Sequence, residues 1–178
     1  MKKPSISFHN NFLDTKLLEK IKTYATSQLG NYKWKTSHCW SKEVKRLSSP
    51  IAILQVPEVF YKPIQQRFHK INPKWKPLDR KNMMFYLWST GSYIGWHTDT
   101  DYEFSATIYL NEKWNINHGG VFLYHTGKAD DPTGLKVYFP QYNNCVINQG
   151  GVGHCVSIIA PDAPFRTTLQ IFGSDENI

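Results

Sequence analysis

The second half of the chain is divided into short β-type runs, and this pattern limits the fold more than any other feature of the sequence. The runs alternate with Gly, Asn, Asp and Pro, the residues that punctuate strands. They predict eight strands, over residues 83–88, 93–98, 103–110, 120–125, 135–139, 144–148, 154–159 and 166–172. Short, evenly spaced strands joined by turns indicate a sandwich or a jelly-roll barrel rather than βαβ units.

Two helices are predicted ahead of these strands. Asp14 is a suitable N-cap for a helix whose apolar residues follow helical spacing, and Gly30 ends that helix. A second helix is predicted over residues 58–70, with the alternative that it begins at Pro63. The segment between the two helices, residues 34–56, has a mixed pattern that predicts one or two strands.

These elements predict an α+β fold in a single domain spanning residues 1–178. Its core, about residues 81–173, is expected to be a double-stranded β-helix, that is, a cupin-like jelly roll. The helical N-terminal part, about residues 1–80, is expected to pack on that core. The length suffices to bury a hydrophobic core, and the composition, 40% hydrophobic and 15% aromatic, is that of a globular protein.

The cysteine content and the hydropathy of the chain indicate where in the cell the protein is expected. The three cysteines, Cys39, Cys145 and Cys155, form no CxxC spacing, and an odd count favours reduced thiols. No apolar segment follows the first four residues, and no apolar run reaches the length of a membrane span. We therefore expect a cytoplasmic protein without a membrane partner.

The net charge of +7 is unevenly distributed. Residues 1–81 hold 17 lysines and arginines against 5 acidic residues, whereas residues 82–178 hold 4 against 9. A basic half is compatible with an acidic or nucleic-acid-containing partner, but a solvated lysine-rich surface is the simpler interpretation. The acidic half is the one in which a bound cation would be favoured.

Three residues of the second half have the chemistry of a metal site. His97 and Asp99 are two apart in a β-type run, so their side chains are expected on the same face of a strand. His154 begins a later run, and a jelly roll brings strands that are distant in sequence side by side. Two histidines and one carboxylate occupy one face of an octahedron and leave the other open, as in non-haem Fe(II) oxygenases. Zinc hydrolases usually take such ligands from a helical HExxH motif, which the sequence lacks.

Arg166 is the last basic residue of the chain and opens an otherwise apolar strand, twelve residues after His154. A guanidinium binds a carboxylate through two hydrogen bonds with a geometry that lysine does not match. Thr168 shares its face and would add a hydroxyl. The alternative is an arginine at the barrel rim that pairs with a surface acid such as Asp162.

These motifs, taken in order, resemble the Fe(II)- and 2-oxoglutarate-dependent oxygenases of prolyl 4-hydroxylase type. The resemblance covers roughly half of the chain and depends on the order of its elements rather than on any one of them. The matching elements are the stretches from Tyr86 to Asp99 and from Ser105 to Asn111, then Gly119-Gly120, Pro140, His154 and Arg166.

The resemblance implies the cofactors and a role for each residue. His97, Asp99 and His154 would bind Fe(II), Arg166 would bind the distal carboxylate of the 2-oxoglutarate cosubstrate, and Tyr109 would assist at that carboxylate. The implied reaction consumes O2 and 2-oxoglutarate, releases succinate and CO2, and hydroxylates a C–H bond. It requires no catalytic residue beyond the metal ligands.

Three features depart from the family pattern. His118 precedes the Gly-Gly pair where the family usually has Asp, and Trp88 stands where many members have Tyr. The spacing between His154 and Arg166 is long for the family. Tyr86 and Trp88 share a face, and strand parity leaves open which of them lines the cosubstrate pocket.

Several substrates are compatible with the sequence. The family resemblance favours a peptidyl residue, above all proline, and a free amino acid or another small metabolite is the alternative. Nucleic-acid demethylation of the AlkB type would suit the basic half, but that family has a second arginine six residues after the first, where this chain has Phe172. A non-enzymatic, cupin-like binding module is disfavoured by the intact ligand set.

Overall fold

The computed structural model describes residues 4–30, 34–37, 42–75, 83–127 and 131–174. Within these ranges there are three α-helices, α1 (Thr15–Ser27), α2 (Lys42–Lys45) and α3 (Tyr61–His69). The strands are β1 (Ser5–His9), β2 (Lys35–Ser37), β3 (Ile51–Gln55), β4 (Met83–Trp88), β5 (Ile94–His97), β6 (Phe104–Tyr109), β7 (Phe122–His125), β8 (Leu135–Tyr138), β9 (Cys145–Gln149), β10 (His154–Val156) and β11 (Arg166–Gly173). No helix in these ranges is long and apolar enough to cross a membrane.

The strands form two antiparallel sheets. The larger sheet has the order β1-β9-β6-β11-β4-β3-β2, and the smaller one has the order β5-β10-β7-β8. From β4 onward the chain passes back and forth between the two sheets, so that β4 and β11, the first and last strands of this series, pair in the larger sheet. This is the strand order of a jelly roll, as the sequence predicts.

All eight strands that were predicted from residue 83 onward are present, with ends that differ by at most three residues. The largest difference is at β10, which ends at Val156 because its pairing with β5 shifts register between His154 and Val156. Helix α1 begins after Asp14, whose Oδ1 accepts a hydrogen bond from the Leu17 amide, so the predicted N-cap is confirmed. The second predicted helix begins as a 3-10 turn and continues as α3.

The N-terminal part is less helical than the sequence indicates, because it also adds strands to both edges of the larger sheet. Strand β1, which was not predicted, pairs with β9 at one edge, and β3 with β2 lies at the other. A strand at a sheet edge is partly exposed on both faces, and β1 has no clear alternation of buried and exposed residues. The sequence itself, Ser5-Ile-Ser-Phe-His9, does alternate polar and apolar residues, so a short strand signal was present although no strand was predicted here.

The two faces of the larger sheet have different roles. On the outer face, Phe85, Ile108 and Leu169 lie in one hydrophobic cluster with Ile21 of α1 and Ile64 of α3. Cross-strand register then places their neighbours in sequence on the inner face, towards the smaller sheet. Cys145 and Cys155 are buried free thiols, and Cys39 lies outside the described residues.

Candidate functional site

The three predicted metal ligands come together between the two sheets. His97 ends β5, His154 begins β10, and the two residues are direct register partners. Asp99 lies two residues beyond the end of β5, in the following loop rather than on the strand itself. Its carboxylate oxygens lie 3.7 Å from His97 Nε2 and 3.5 Å from His154 Nε2. One donor atom from each residue falls within 4.8 Å of the others, a spacing that suits a single metal ion.

Both imidazole rings present Nε2 to this centre. His97 Nδ1 lies 2.9 Å from the Gly95 carbonyl oxygen, and His154 Nδ1 lies 2.9 Å from the Val152 carbonyl oxygen. Burial, reinforced by the neighbouring His97, lowers the pKa of His154 to about 4. The ring of His154 is therefore neutral near pH 7, and a neutral imidazole is the form that binds a metal.

Arg166 lies on the inner face of the larger sheet, at the start of β11, and is 1% exposed. Its guanidinium carbon lies 5.2 Å from the ring centre of Trp88 and 5.1 Å from that of Tyr109. Among the described residues, Nε and Nη1 of this guanidinium have no hydrogen-bond partner. Burial of a cation without a hydrogen-bonded anion costs free energy, so this position is suited to binding an anion. The alternative of a rim arginine paired with Asp162 does not hold, because Arg166 is fully inside and Asp162 is exposed.

The Tyr109 hydroxyl is the second donor directed at this position. Burial raises the pKa of Tyr109 to about 12, and the charge of Arg166 offsets part of this rise. The hydroxyl is thus protonated at neutral pH. Among the described residues, none meets hydrogen-bonding geometry with this hydroxyl, although the Arg166 guanidinium is its close electrostatic neighbour. Arg166 and Tyr109 therefore provide two neighbouring, unsatisfied donor groups.

A cavity of ≈ 370 Å³ connects the metal ligands with Arg166 and Tyr109. Tyr86 and Trp88 both line this cavity. Thr168 is fully buried, is not among the lining residues, and accepts a hydrogen bond of 3.1 Å from the Trp88 indole nitrogen. A role for its hydroxyl at the anion remains a prediction.

The Gly119-Gly120 pair brings the segment before β7 close to Arg166. Gly120 has φ +62°, and a Cβ atom at this position would lie 2.5 Å from Ile159 Cδ1 and 3.3 Å from Arg166 Cδ. Glycine is therefore required at residue 120 both for its backbone conformation and for space. His118, the departure noted before this pair, accepts a hydrogen bond from the Asn115 amide, so it acts as a local cap and not as a cavity residue.

Sequence reasoning missed several residues of the site. The wall of the cavity also includes Asp101, Phe122 and Gln170, which carry no motif of their own. Asn148, which is 4% exposed, contacts His154 and the backbone of Val152. The only available signal was strand parity, because Gln170 shares a face with Arg166.

Comparison of the sequence with protein-family models and with curated proteins finds no match. Comparison of the structure finds many. A prolyl-4-hydroxylase from Pseudomonas putida has a TM-score of 0.74 at 17% identity, over 98% of this chain and 95% of that one. An oxidoreductase of the 2OG-Fe(II) oxygenase family from Burkholderia pseudomallei has a TM-score of 0.69 at 18% identity, over 95% and 84% of the two chains.

A third similar structure is a prolyl hydroxylase from Trichoplax adhaerens, solved in complex with a peptide fragment of the hypoxia inducible factor oxygen degradation domain. Its TM-score is 0.74 at 13% identity, over 96% of this chain and 84% of that one. All three comparisons cover nearly the whole of this chain, including the N-terminal part that precedes the jelly roll. The chain therefore has the fold of the Fe(II)- and 2-oxoglutarate-dependent oxygenases, the fold on which prolyl hydroxylases are built.

Proposed function

We propose that this protein is an Fe(II)- and 2-oxoglutarate-dependent dioxygenase that hydroxylates a C–H bond. The observation that carries the proposal is one cavity with two complementary ends. One end holds the two imidazoles and the carboxylate, and the other holds the unpaired donors of Arg166 and Tyr109. A ligand that bears a metal-chelating group and a distant carboxylate would satisfy both ends at once.

The residues at the metal end fit Fe(II). Two neutral imidazoles and one carboxylate are the donor set of non-haem Fe(II) oxygenases, and they leave the opposite face free for other ligands. When bound, iron with 2-oxoglutarate and O2 supplies the oxidising chemistry, in which the cosubstrate becomes succinate and CO2 and a substrate C–H bond becomes C–OH.

The side chains of the protein would orient the cosubstrate and exclude water from the cavity. Arg166 would bind the distal carboxylate through two parallel hydrogen bonds, and the protonated Tyr109 hydroxyl would donate a third. The side chains of Trp88, Ile94 and Phe122 form apolar walls between the two ends of the cavity. They would exclude water from the part of the cavity next to the metal ligands, which limits oxidation without substrate.

We further propose that the substrate is a peptidyl residue, with proline favoured. Two of the similar structures are prolyl hydroxylases, and one of them holds a peptide. The part of the cavity away from Arg166 is bordered by apolar and aromatic side chains, among them Val44, Met84 and Phe172. Such a wall suits a small aliphatic ring. A free amino acid or another small metabolite remains the alternative, because the cavity is large enough to hold either.

Demethylation of nucleic acid is the weaker alternative. Phe172 lines the cavity at the position where AlkB-type enzymes have a second arginine. Asp101 also borders the cavity and would repel a phosphate group. The described lysines of α1 lie on the outer side of the larger sheet, because the buried face of that helix packs against the sheet face opposite to the cavity.

Formation of succinate tests the reaction class. The protein is incubated with Fe(II), 2-oxoglutarate and O2, alone and with proline-containing peptides, free amino acids or methylated oligonucleotides. We expect succinate to form faster with the peptides than without any substrate. The mass of the peptide should increase by one oxygen atom. An Asp99→Ala variant should form no succinate. If the wild-type protein binds neither a divalent metal nor 2-oxoglutarate, the proposed function is wrong.

A further inference from the structure

The two histidines of the candidate metal site are held by the same local arrangement. In each case Nδ1 is 2.9 Å from a backbone carbonyl oxygen two residues earlier in the chain, that of Gly95 for His97 and that of Val152 for His154. A carbonyl oxygen accepts hydrogen bonds and cannot donate them, so the proton of each neutral ring lies on Nδ1. Nε2 then keeps its lone pair for the metal.

Asn148 holds the carbonyl that orients His154. Its side-chain oxygen accepts a hydrogen bond of 3.0 Å from the Val152 amide, and its Nδ2 donates one of 3.0 Å to the Val152 carbonyl. Asn148 Nδ2 and His154 Nδ1 are themselves 3.2 Å apart. Both nitrogens are donors that converge on the two lone pairs of a single carbonyl oxygen, which explains their closeness.

The position of Asn148 in the fold makes this contact a bridge between the two sheets. Asn148 belongs to β9 in the larger sheet, whereas His154 begins β10 in the smaller one. The chain between them turns through Gly150 and Gly151, both with positive φ. Asn148 thus fixes the loop that carries Val152 to the end of β9. Through this loop, the orientation of the His154 ring depends on a residue of the larger sheet.

The orientation of His97 depends less on any single side chain. The amide of Gly95 donates to Ser48 Oγ at 3.1 Å and also to the Leu47 carbonyl at 3.0 Å. If the Ser48 hydroxyl were lost, the Leu47 carbonyl would still accept a hydrogen bond from the Gly95 amide. A Cβ atom on Gly95 would also lie 2.6 Å from the Leu47 oxygen, so close packing restrains this peptide independently. Among the described residues, by contrast, Asn148 is the only group that accepts a hydrogen bond from the Val152 amide.

We propose that Asn148 is a positioning residue of the metal site, which acts through the Val152 peptide to set the ring orientation and the tautomer of His154. This inference rests on the proposed function only in taking His154 as a metal ligand. Groups that orient metal-binding histidines typically change metal affinity by roughly 10- to 100-fold when they are removed. The same size of effect is expected for Asn148, and a smaller one for Ser48.

Asn143 provides a matched control. It is buried like Asn148, with 6% against 4% exposure, and its side chain likewise makes two hydrogen bonds to one backbone residue, here Leu13. It contacts no metal ligand through these bonds. Asn143→Ala should lower the free energy of unfolding at least as much as Asn148→Ala, because residue 143 also has a φ of 57°, which alanine adopts less readily than asparagine. Only Asn148→Ala should affect the metal site.

Two measurements decide the proposal. Titration of the wild type and of the variants with Mn(II), followed by calorimetry, should show a loss of affinity of about 10- to 100-fold in Asn148→Ala and less than twofold in Asn143→Ala. Nitrogen-15 NMR of the metal-free protein should show the Nδ1–H tautomer of His154 in the wild type and a mixture of tautomers in Asn148→Ala. Unchanged affinity together with an unchanged tautomer would overturn the proposal.

The NMR measurement also separates this proposal from the proposed function. If the wild type bound no metal, the proposed function would fail, but the tautomer of His154 in the metal-free protein would still test the role of Asn148. Should Asn148→Ala not fold, Asn148→Ser keeps a polar side chain of smaller size and is measured instead. A wild-type protein with the proton of His154 on Nε2 would overturn the proposal without any variant.

Discussion

His97 and His154 are register partners across the antiparallel pair of β5 and β10, and the centres of their rings are 4.1 Å apart. Burial lowers the pKa of His154, and repulsion between two protonated imidazoles at this distance lowers it further. The pair is thus prepared to accept a cation between its Nε2 atoms and the Asp99 carboxylate.

Replacement of His154 by alanine should abolish binding of Fe(II) or Mn(II) while the fold is retained. Two ligands without the third give a much weaker site, because each missing donor leaves a coordination position to water. His125→Ala is the matched control, since His125 also lies at the end of a strand of the smaller sheet but does not line the cavity. Metal titration by calorimetry checks both variants, and equal affinities would contradict the ligand assignment.

Replacement of Arg166 by methionine should remove 2-oxoglutarate binding without destabilising the ligand-free protein. Two nitrogens of the buried guanidinium have no hydrogen-bond partner among the described residues. Apolar side chains of similar volume often replace buried charges at no cost or with a gain of about 1–4 kcal/mol. The midpoint of thermal unfolding should therefore be maintained or raised in the absence of ligand. With Mn(II) already present, the midpoint should not rise further when 2-oxoglutarate is added, in contrast to the wild type.

Arg166→Lys supplements that experiment, because it keeps a positive charge but loses the planar fork. We expect its affinity for 2-oxoglutarate to fall by roughly 10- to 100-fold, which corresponds to the energy of about one charge-assisted hydrogen bond. Arg67→Lys is a control on a partly buried arginine that donates to the Phe12 carbonyl and does not line the cavity. If Arg166→Lys bound the cosubstrate as tightly as the wild type, bidentate binding would be excluded.

Replacement of Tyr109 by phenylalanine should weaken 2-oxoglutarate binding roughly tenfold, because it removes one hydrogen bond to a charged group. Burial raises the pKa of Tyr109 to about 12, so its hydroxyl is protonated, and the difference between the two proteins should stay constant between pH 7 and pH 9. Tyr138→Phe is the control, since its hydroxyl accepts from Asn144 and does not line the cavity. A difference that varies across this pH range would contradict the assigned role.

Replacement of Gly120 by alanine should reduce both stability and 2-oxoglutarate affinity. The new Cβ atom would press on Ile159 and on the aliphatic part of Arg166, and the residue would have to adopt a positive φ. Gly91→Ala separates the two effects, because Gly91 has φ +77° with nothing within 4 Å of the added atom. Both variants should lose about 1–2 kcal/mol of unfolding free energy through backbone strain, but only Gly120→Ala should lose affinity for the cosubstrate.

Local patterns in the sequence were sufficient for much of the fold. Helix α1 follows from the Asp14 cap and from apolar spacing, and the eight strands of the jelly roll follow from short β-type runs between turn residues. These signals are local, because caps, turns and alternation act within a few residues. Strand β1 also has a local signal, the polar–apolar alternation from Ser5 to His9, but it was not predicted. Its pairing with β9 is a contact between segments far apart in the chain.

The sequence by itself determined which side chains were available for chemistry, namely His97, Asp99, His154, Arg166 and Tyr109. Only the tertiary structure decided their arrangement. It joined the histidines as register partners and placed Asn148 within hydrogen-bonding distance of the Val152 carbonyl. It also buried Arg166 at the wall of a cavity, with two guanidinium nitrogens unpaired among the described residues. Strand parity tells which face a residue occupies but not which faces meet, because that depends on contacts between strands far apart in the chain.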